Sequence, residues 1–544
     1  NFLMTAAAIG AIVLGEYADA AAVMFLFSLG NALEARSVER TRQSVKSLVD
    51  LFPTKARVIR DGASVEIPAS EVALGDVFVV RPGEKIATDG EVVGGASTVN
   101  QASITGESAP VEKGVGDAVF AGTVNQHGSL DVRATATSAD NTLARIVHLV
   151  EEAQAEKAPS QKFTEVFGRV YTPIVIGLAV LVPVVYPYFV DVGLSEAFRI
   201  ALTLLVVSCP CALVISTPVS IVSAIGNAAR NGVLIKGGSH LEAASRIRVV
   251  AFDKTGTITT GQSRVSDLLP ADGYSEQRLL ALAAAVESRS EHPLGEAIRG
   301  EALVGMGAAA KQNGGTCVVG NTRLMEQKGI EIKSMERALA GLQGDGKTVV
   351  FVAENREPAG MIALADTVRE SAREALAELR RVGIERIVML TGDNEPAARS
   401  VARDLGVDEY YAELLPQDKV DIVRVLIERF GSTVAMVGDG VNDAPALAAA
   451  TVGIAMGAAG SPTALETADV ALMSDDLSRL PFAIRLAKKA LGTIKQNITF
   501  SLVVIGGLIG TALWGRLTLS LGVLGHEGSA LIVIANGMRL LKFR

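Results

Sequence analysis

Four apolar stretches, Val170–Val190, Ala197–Pro218, Ile498–Trp514 and Leu517–Leu541, constrain this chain more than any other feature of it. A membrane-spanning helix takes about 20 predominantly apolar residues, so the four read as two hairpins with short connections at 191–196 and 515–516. Two shorter runs, Phe2–Leu14 and Ala20–Leu33, form an earlier hairpin around Glu16 and Asp19. Its first span is expected to begin upstream, because the sequence starts at Asn1 rather than Met. At 544 residues the chain exceeds one compact core, and several domains are expected. A net charge of −8 argues against nucleic acid as a partner.

Basic residues set the orientation. Arg36, Arg40, Arg42 and Lys46 follow the second run, and Arg539, Lys542 and Arg544 end the sequence. The positive-inside rule then puts both large polar regions, 37–168 and 231–496, in the cytoplasm. Of the three cysteines, Cys209 and Cys211 lie in a span and Cys317 in the cytoplasm, so no disulfide framework is implied.

The first polar region carries short β-branched runs broken by Asp-Gly and Pro-Gly, which predicts a small β-rich domain. In the second, "IRVVAFDKTGT", "ERIVMLTGDN" and "STVAMVGDGVNDAP" are strand-like runs ending in polar turns. A helical pattern, "VRESAREALAELRRVG", comes between them, as in a parallel sheet with crossover helices. A Gly- and Ala-rich segment from Ile258 to about Gly360 reads as an insertion.

Asp253 stands directly after the run Val249–Phe252, well placed for a nucleophile that forms an aspartyl phosphate. Thr391, Gly392 and Asp393 end a second strand, where the hydroxyl suits a phosphoryl oxygen, and Lys419 opens a helical pattern as a charge neutraliser. Asp439, Asn442 and Asp443 offer hard oxygen donors for Mg²⁺. Singly, each motif is ordinary turn chemistry; together and in this order they specify phosphoryl transfer.

"CPC", Cys209 to Cys211, interrupts an apolar span. Residues two apart on a regular helix do not face each other. Pro210 breaks the hydrogen-bond ladder and lets both thiols turn to one ion. Thiolates select soft or borderline cations: Cu⁺, Zn²⁺, Cd²⁺, Pb²⁺ or Co²⁺. His526 and Glu527 in the last apolar run are ionisable intramembrane residues, expected to be functional and to favour a divalent ion. The bland alternatives are a simple proline kink and an aqueous helix end. For Glu16 and Glu34, solvated helix ends are the expected role.

"DKTGT", "TGES" (Thr105–Ser108), "TGDN" and "GDGVND" stand in the order found in the P-type ATPases, which this sequence resembles over nearly its whole length. The resemblance implies a multidomain α-helical membrane protein. It would have a β-rich actuator domain and a haloacid-dehalogenase-like α/β phosphorylation domain carrying an inserted nucleotide-binding domain. The implied division is 1–36, 168–236 and 487–544 in the membrane, 37–167 actuator, 237–259 with 361–486 phosphorylation, and 260–360 nucleotide binding. It implies phosphorylation of Asp253, with Lys254 and Thr255 beside it, and Mg²⁺ held by Asp253, Asp439 and the Thr255 backbone. Glu107 would position the hydrolytic water. His292, Pro293, Glu287, Gly305, Gly307 and Gly320 would hold ATP. Between Ile298 and Gly305 the family carries further residues, so a loop is either deleted or missing from this numbering.

The resemblance is to the heavy-metal branch, which has two more spans and often a metal-binding domain upstream. Copper pumps share "CPC" but carry Asn and Tyr, then Met and Ser, in the last two spans. Zinc, cadmium and lead pumps share "CPC" with a Lys and then an Asp-Gly. The cobalt-linked branch has "HEG" followed by Gly, Ser or Thr, as His526–Ser529 do, but usually Ser in place of Cys209. The chain thus reads as a hybrid. It implies export of Zn²⁺ or Cd²⁺, with Co²⁺ or Pb²⁺ next and Cu⁺ the alternative, by a monomer in a bacterial plasma membrane. The other classes weighed are a membrane-anchored phosphohydrolase and a metal sensor. "TGES" with intramembrane "CPC" disfavours the first, and the Asp253–Asp439 pair the second.

Overall fold

The computed structural model describes residues 2–46, 53–60, 63–105, 110–145, 147–148, 158–190, 192–287, 302–303, 307–312, 315–344, 347–393, 395–439, 443–458 and 461–543. They form two units. One comprises Asn1–Ile247, Gly457–Ser474 and Arg479–Arg544, the other Arg248–Met456 with Asp475–Ser478. The division implied above had placed 237–247, 457–474 and 479–486 with the phosphorylation domain; by contacts they group with the first unit.

Seven helices of the first unit are numbered here: α1 (Phe2–Val13), α2 (Tyr17–Lys46), α3 (Pro159–Phe189), α4 (Leu194–Val207), α5 (Cys211–Arg230), α6 (Arg479–Leu513) and α7 (Leu519–Met538). Among the described residues, four spans are long and apolar enough to cross a membrane: α3, α4 with α5 taken together, α6, and α7 with its tail; α1 and the apolar part of α2 are shorter. Several helices run further than the apolar runs that predicted them. α3 begins at Pro159 and α6 at Arg479, because helical propensity and packing continue past the hydrophobic boundary. Outward-facing Val170, Ile174, Leu178 and Leu181 leave α3 an apolar exterior, as a lipid-facing helix requires.

The β-rich part of this unit holds an antiparallel sheet in the order Ala63–Pro68, Lys55–Arg60, Val77–Val80, Leu130–Ala134, Gly90–Gly95, Ala118–Val119. Phe78, Ile86, Val92, Leu130 and Val132 form its core.

The second unit is built on parallel strands in the order Val452–Ala455, Val434–Gly438, Val249–Asp253, Arg386–Leu390, Glu409–Tyr411. Val249–Asp253 and Val434–Gly438 are buried at every residue, so they show no alternation, as strands covered on both faces must. Into this sheet is inserted an antiparallel one bounded by Thr259–Pro270 and Glu357–Val368, which pair with each other. The insertion therefore leaves and returns through adjacent strands, one residue before and eight beyond the limits 260 and 360.

Candidate functional site

Asp253 ends the central strand, so its carboxylate projects where the strands' carboxyl ends open, the usual binding edge of such a sheet. The next five residues make a tight turn in which Gly256 has φ +74°, a conformation that favours glycine. Lys419, in the first turn and a half of the helix Pro416–Phe430, reaches Asp253 Oδ1 at 2.5 Å and Asp443 Oδ1 at 2.7 Å. Burial is the main cause that lifts the Asp253 carboxyl, to about 7, with the charge of Asp443 adding and Lys419 opposing. Asp443 is raised as well, again by burial first and against the pull of Lys419. Burial works to lower Lys419, but its two carboxylate partners outweigh this and hold it above its ordinary value. One lysine thus serves two buried acids, and the buried Asp443 Oδ2 has no hydrogen-bond partner among the described residues.

Thr391 is buried and its Oγ1 accepts the backbone N–H of Asp393 at 3.0 Å. Lys254, also buried, pairs with Asp393 and lies 3.8 Å from Asp366. Gly392 and the Thr255 side chain are exposed at the same edge. Asp439 follows the strand Val434–Gly438 and approaches the turn at Gly256. The structure therefore gathers Asp253, Lys254, Thr255, Thr391, Gly392, Asp393, Lys419, Asp439 and Asp443 at one edge. Glu107, Asn442, His292, Pro293, Gly305, the Glu287 side chain and, apart from Ala302–Leu303, the Ile298–Gly305 connection lie outside the described residues. Gly307 and Gly320 face each other as cross-strand partners in the inserted sheet.

Sequence reasoning missed Asp366 and Arg369. Asp366 accepts the Thr259 hydroxyl and neighbours Lys254. Arg369 donates from Nε to Thr257 O and from a terminal nitrogen to Gly256 O, both at 2.9 Å. "DTVR" looks like the start of a helix, and only the return of the inserted strand beside Thr259 brings it to the turn. Arg369→Ala is expected to slow phosphoenzyme formation by about ten- to a hundredfold, the scale of a small misplacement of a reacting group. Lys should not restore it, since one ammonium does not reproduce the planar fork that holds two carbonyls. Rapid-quench labelling from γ-labelled ATP measures the rate; unchanged kinetics in Arg369→Ala would dismiss this role.

In the membrane unit, α4 ends at Val207 and α5 starts at Cys211, with Ser208 and Pro210 outside helical geometry. Cys209, Cys211 and His526 of α7 come together, their ligating atoms all within 4.8 Å of one another. Cys209 and His526 are buried, Cys211 half-buried, and His526 Nε2 has no hydrogen-bond partner. Against the expectation of unpaired thiols, the two sulfurs are joined; the thiolate form is the one that ligates metal. Glu527 is not in this cluster but packs against Gly30 of α2. Glu16 is exposed, and the Glu34 side chain lies outside the described residues.

Residues 50–151 match the P-type ATPase actuator domain and 247–451 the haloacid dehalogenase-like hydrolases. A probable cadmium-transporting ATPase of Alkalihalophilus pseudofirmus is 47% identical, covering 100% of this chain and 78% of that protein. A zinc-transporting ATPase of Bacillus subtilis is 42% identical over 100% of this chain and 87% of its own length. A crystal structure of a zinc-transporting PIB-type ATPase in the E2.Pi state superposes with a TM-score of 0.66 at 40% identity, covering 99% of this chain and 90% of that one. Relatives this similar over the whole of this chain, with a buried acid, Asp253, held by Lys419 at the sheet edge, make the chain a member of the P-type ATPases.

Proposed function

We propose that this ATPase exports a divalent heavy-metal ion, Zn²⁺ or Cd²⁺ before Co²⁺ or Pb²⁺, across a bacterial plasma membrane. The observation that carries the reading is the Cys209–Cys211–His526 cluster inside the spans. Two sulfurs with an imidazole suit a borderline divalent ion, whereas Cu⁺ would gain little from the imidazole and a neighbouring carboxylate. The relatives named for cadmium and zinc support the same choice.

Asp253 attacks the γ-phosphorus of ATP, forming the acyl phosphate as ADP leaves, and Lys419 balances charge on the transferring group. Asp253, Asp439 and the Thr255 carbonyl would hold Mg²⁺, a hard-oxygen set that fits the ion and would balance the unshared acid charge around Lys419. When bound, it withdraws charge from the phosphoryl oxygens. Thr391, Asp393 and Lys254 orient the phosphoryl group, and Asn442 and Asp443 support the same step. His292, Pro293, Glu287, Gly305, Gly307 and Gly320 cradle the nucleotide. Glu107 orients the water that later cleaves the acyl phosphate.

ATP hydrolysis by the chain in lipid vesicles is expected to rise most with Zn²⁺ and Cd²⁺, less with Co²⁺ and least with Cu⁺. A preparation that forms phosphoenzyme at Asp253 yet responds to none of the four metals would sink the export reading. Stimulation by Cu⁺ alone would replace it with the copper alternative.

A further inference from the structure

Gly30 lies inside α2, a 30-residue helix. Glycine is disfavoured there relative to alanine, so its presence needs a cause. Its backbone is ordinary helix, without the positive φ that would call for glycine. The cause is space. A Cβ built on Gly30 would stand 2.7 Å from Cδ and 3.1 Å from Cγ of Glu527, and nearer still to Oε2. The Glu527 carboxylate occupies the place of the missing side chain.

We propose that Gly30 is a positioning residue of the metal site, giving Glu527 a seat against α2 beside the Cys209–Cys211–His526 cluster. This rests on the metal-export reading above. Glu527 follows His526 directly, and its carboxylate, outside the three-residue group, is the neighbouring oxygen donor whose approach to the ion this seat would set. α2 is also fastened to α7 further along, where Ser520 Oγ donates to Asp19 Oδ1 at 2.7 Å. With that attachment, a side chain at position 30 is accommodated by moving the flexible end of Glu527 rather than by sliding the helices apart.

The test is a double-mutant cycle on the full chain in lipid vesicles, with ATP hydrolysis titrated against Zn²⁺ and Cd²⁺. Gly30→Ala is expected to shift the half-maximal Zn²⁺ concentration by about tenfold, within the usual coupling between residues in contact. The shift should be smaller for Cd²⁺, which depends less on an oxygen donor. In a Glu527→Ala background, Gly30→Ala should add nothing. Equal shifts in both backgrounds, or none in either, would overturn the proposal. A wild type that no metal stimulates would remove the export reading itself, a different result from a stimulated wild type with an additive cycle.

Phosphorylation of Asp253 by inorganic phosphate, the reverse of hydrolysis, reports folding independently of metal. Should Gly30→Ala fail that control, Gly30→Ala with Glu527→Asp should pass it, because the shorter acid withdraws from the added methyl. Failure of both would assign Gly30 to packing alone and overturn the proposal.

Discussion

Asp253→Asn is expected to abolish phosphoenzyme formation and lower ATP turnover by at least about a thousandfold, the scale of losing a catalytic nucleophile. The same change should make the protein more stable at alkaline pH. Lys419 faces both Asp253 and Asp443, leaving an acid charge in excess within a buried site. Burial first, and the charge of Asp443 second, push the Asp253 carboxyl up to about 7 from its ordinary 3.8. Between those values the folded chain keeps a proton that the unfolded chain has released, so stability falls as pH rises through that window. Above it the full cost of a buried charge is present. An amide in place of the Asp253 carboxyl has no proton to lose and leaves Lys419 paired with Asp443 alone. The melting temperature of Asp253→Asn should therefore gain on wild type as pH rises from about 4 to about 7, and hold that gain above it. Parallel melting curves across that range would show that Asp253 is not strained in this way. Retained turnover would show that another residue receives the phosphoryl group.

The second large effect lies in the membrane unit. Cys209→Ala or Cys211→Ala should raise the metal concentration for half-maximal stimulation by more than about a hundredfold, since even the outer partners of metal sites cost up to that much. Ser at either position should behave similarly, because it keeps the size but loses the soft donor. Labelling by inorganic phosphate should persist in each variant, since Asp253, Lys419 and Asp443 are untouched. Loss of labelling and metal response together would mean a folding defect. Full metal response in both variants would remove the cysteines from the site. His526→Ala should leave a weaker site of two sulfurs, with Zn²⁺ affected more than Cd²⁺.

Much of the edge that gathers Asp253, Thr391 and Asp439 was legible because each of the three follows an apolar strand in a short motif. Asp253, Thr391 and Asp439 needed only strand ends and turn chemistry to be found. Asp366 and Arg369 were not legible, because their approach to the turn depends on the register between Thr259–Pro270 and Glu357–Val368. Cys209, Cys211 and His526 were readable as polar groups in apolar runs, the rarest chemistry in a span. Glu527 was read with them; adjacent helical residues project about 100° apart, so its carboxylate lies against α2, beside the three-residue group rather than within it. Helix limits were read too short because hydropathy marks the membrane, whereas hydrogen bonding carries α3 and α6 beyond it.

The broken span has an evolutionary consequence. Its two cysteines flank Pro210, while the imidazole comes from α7 near the end of the chain. The residues proposed to turn over ATP all lie outside these two pieces. Exchange of the C-terminal hairpin between related genes would replace the imidazole and leave intact both the sulfurs and the residues proposed to turn over ATP. The imidazole on α7 and the two sulfurs on the broken span would then be inherited separately.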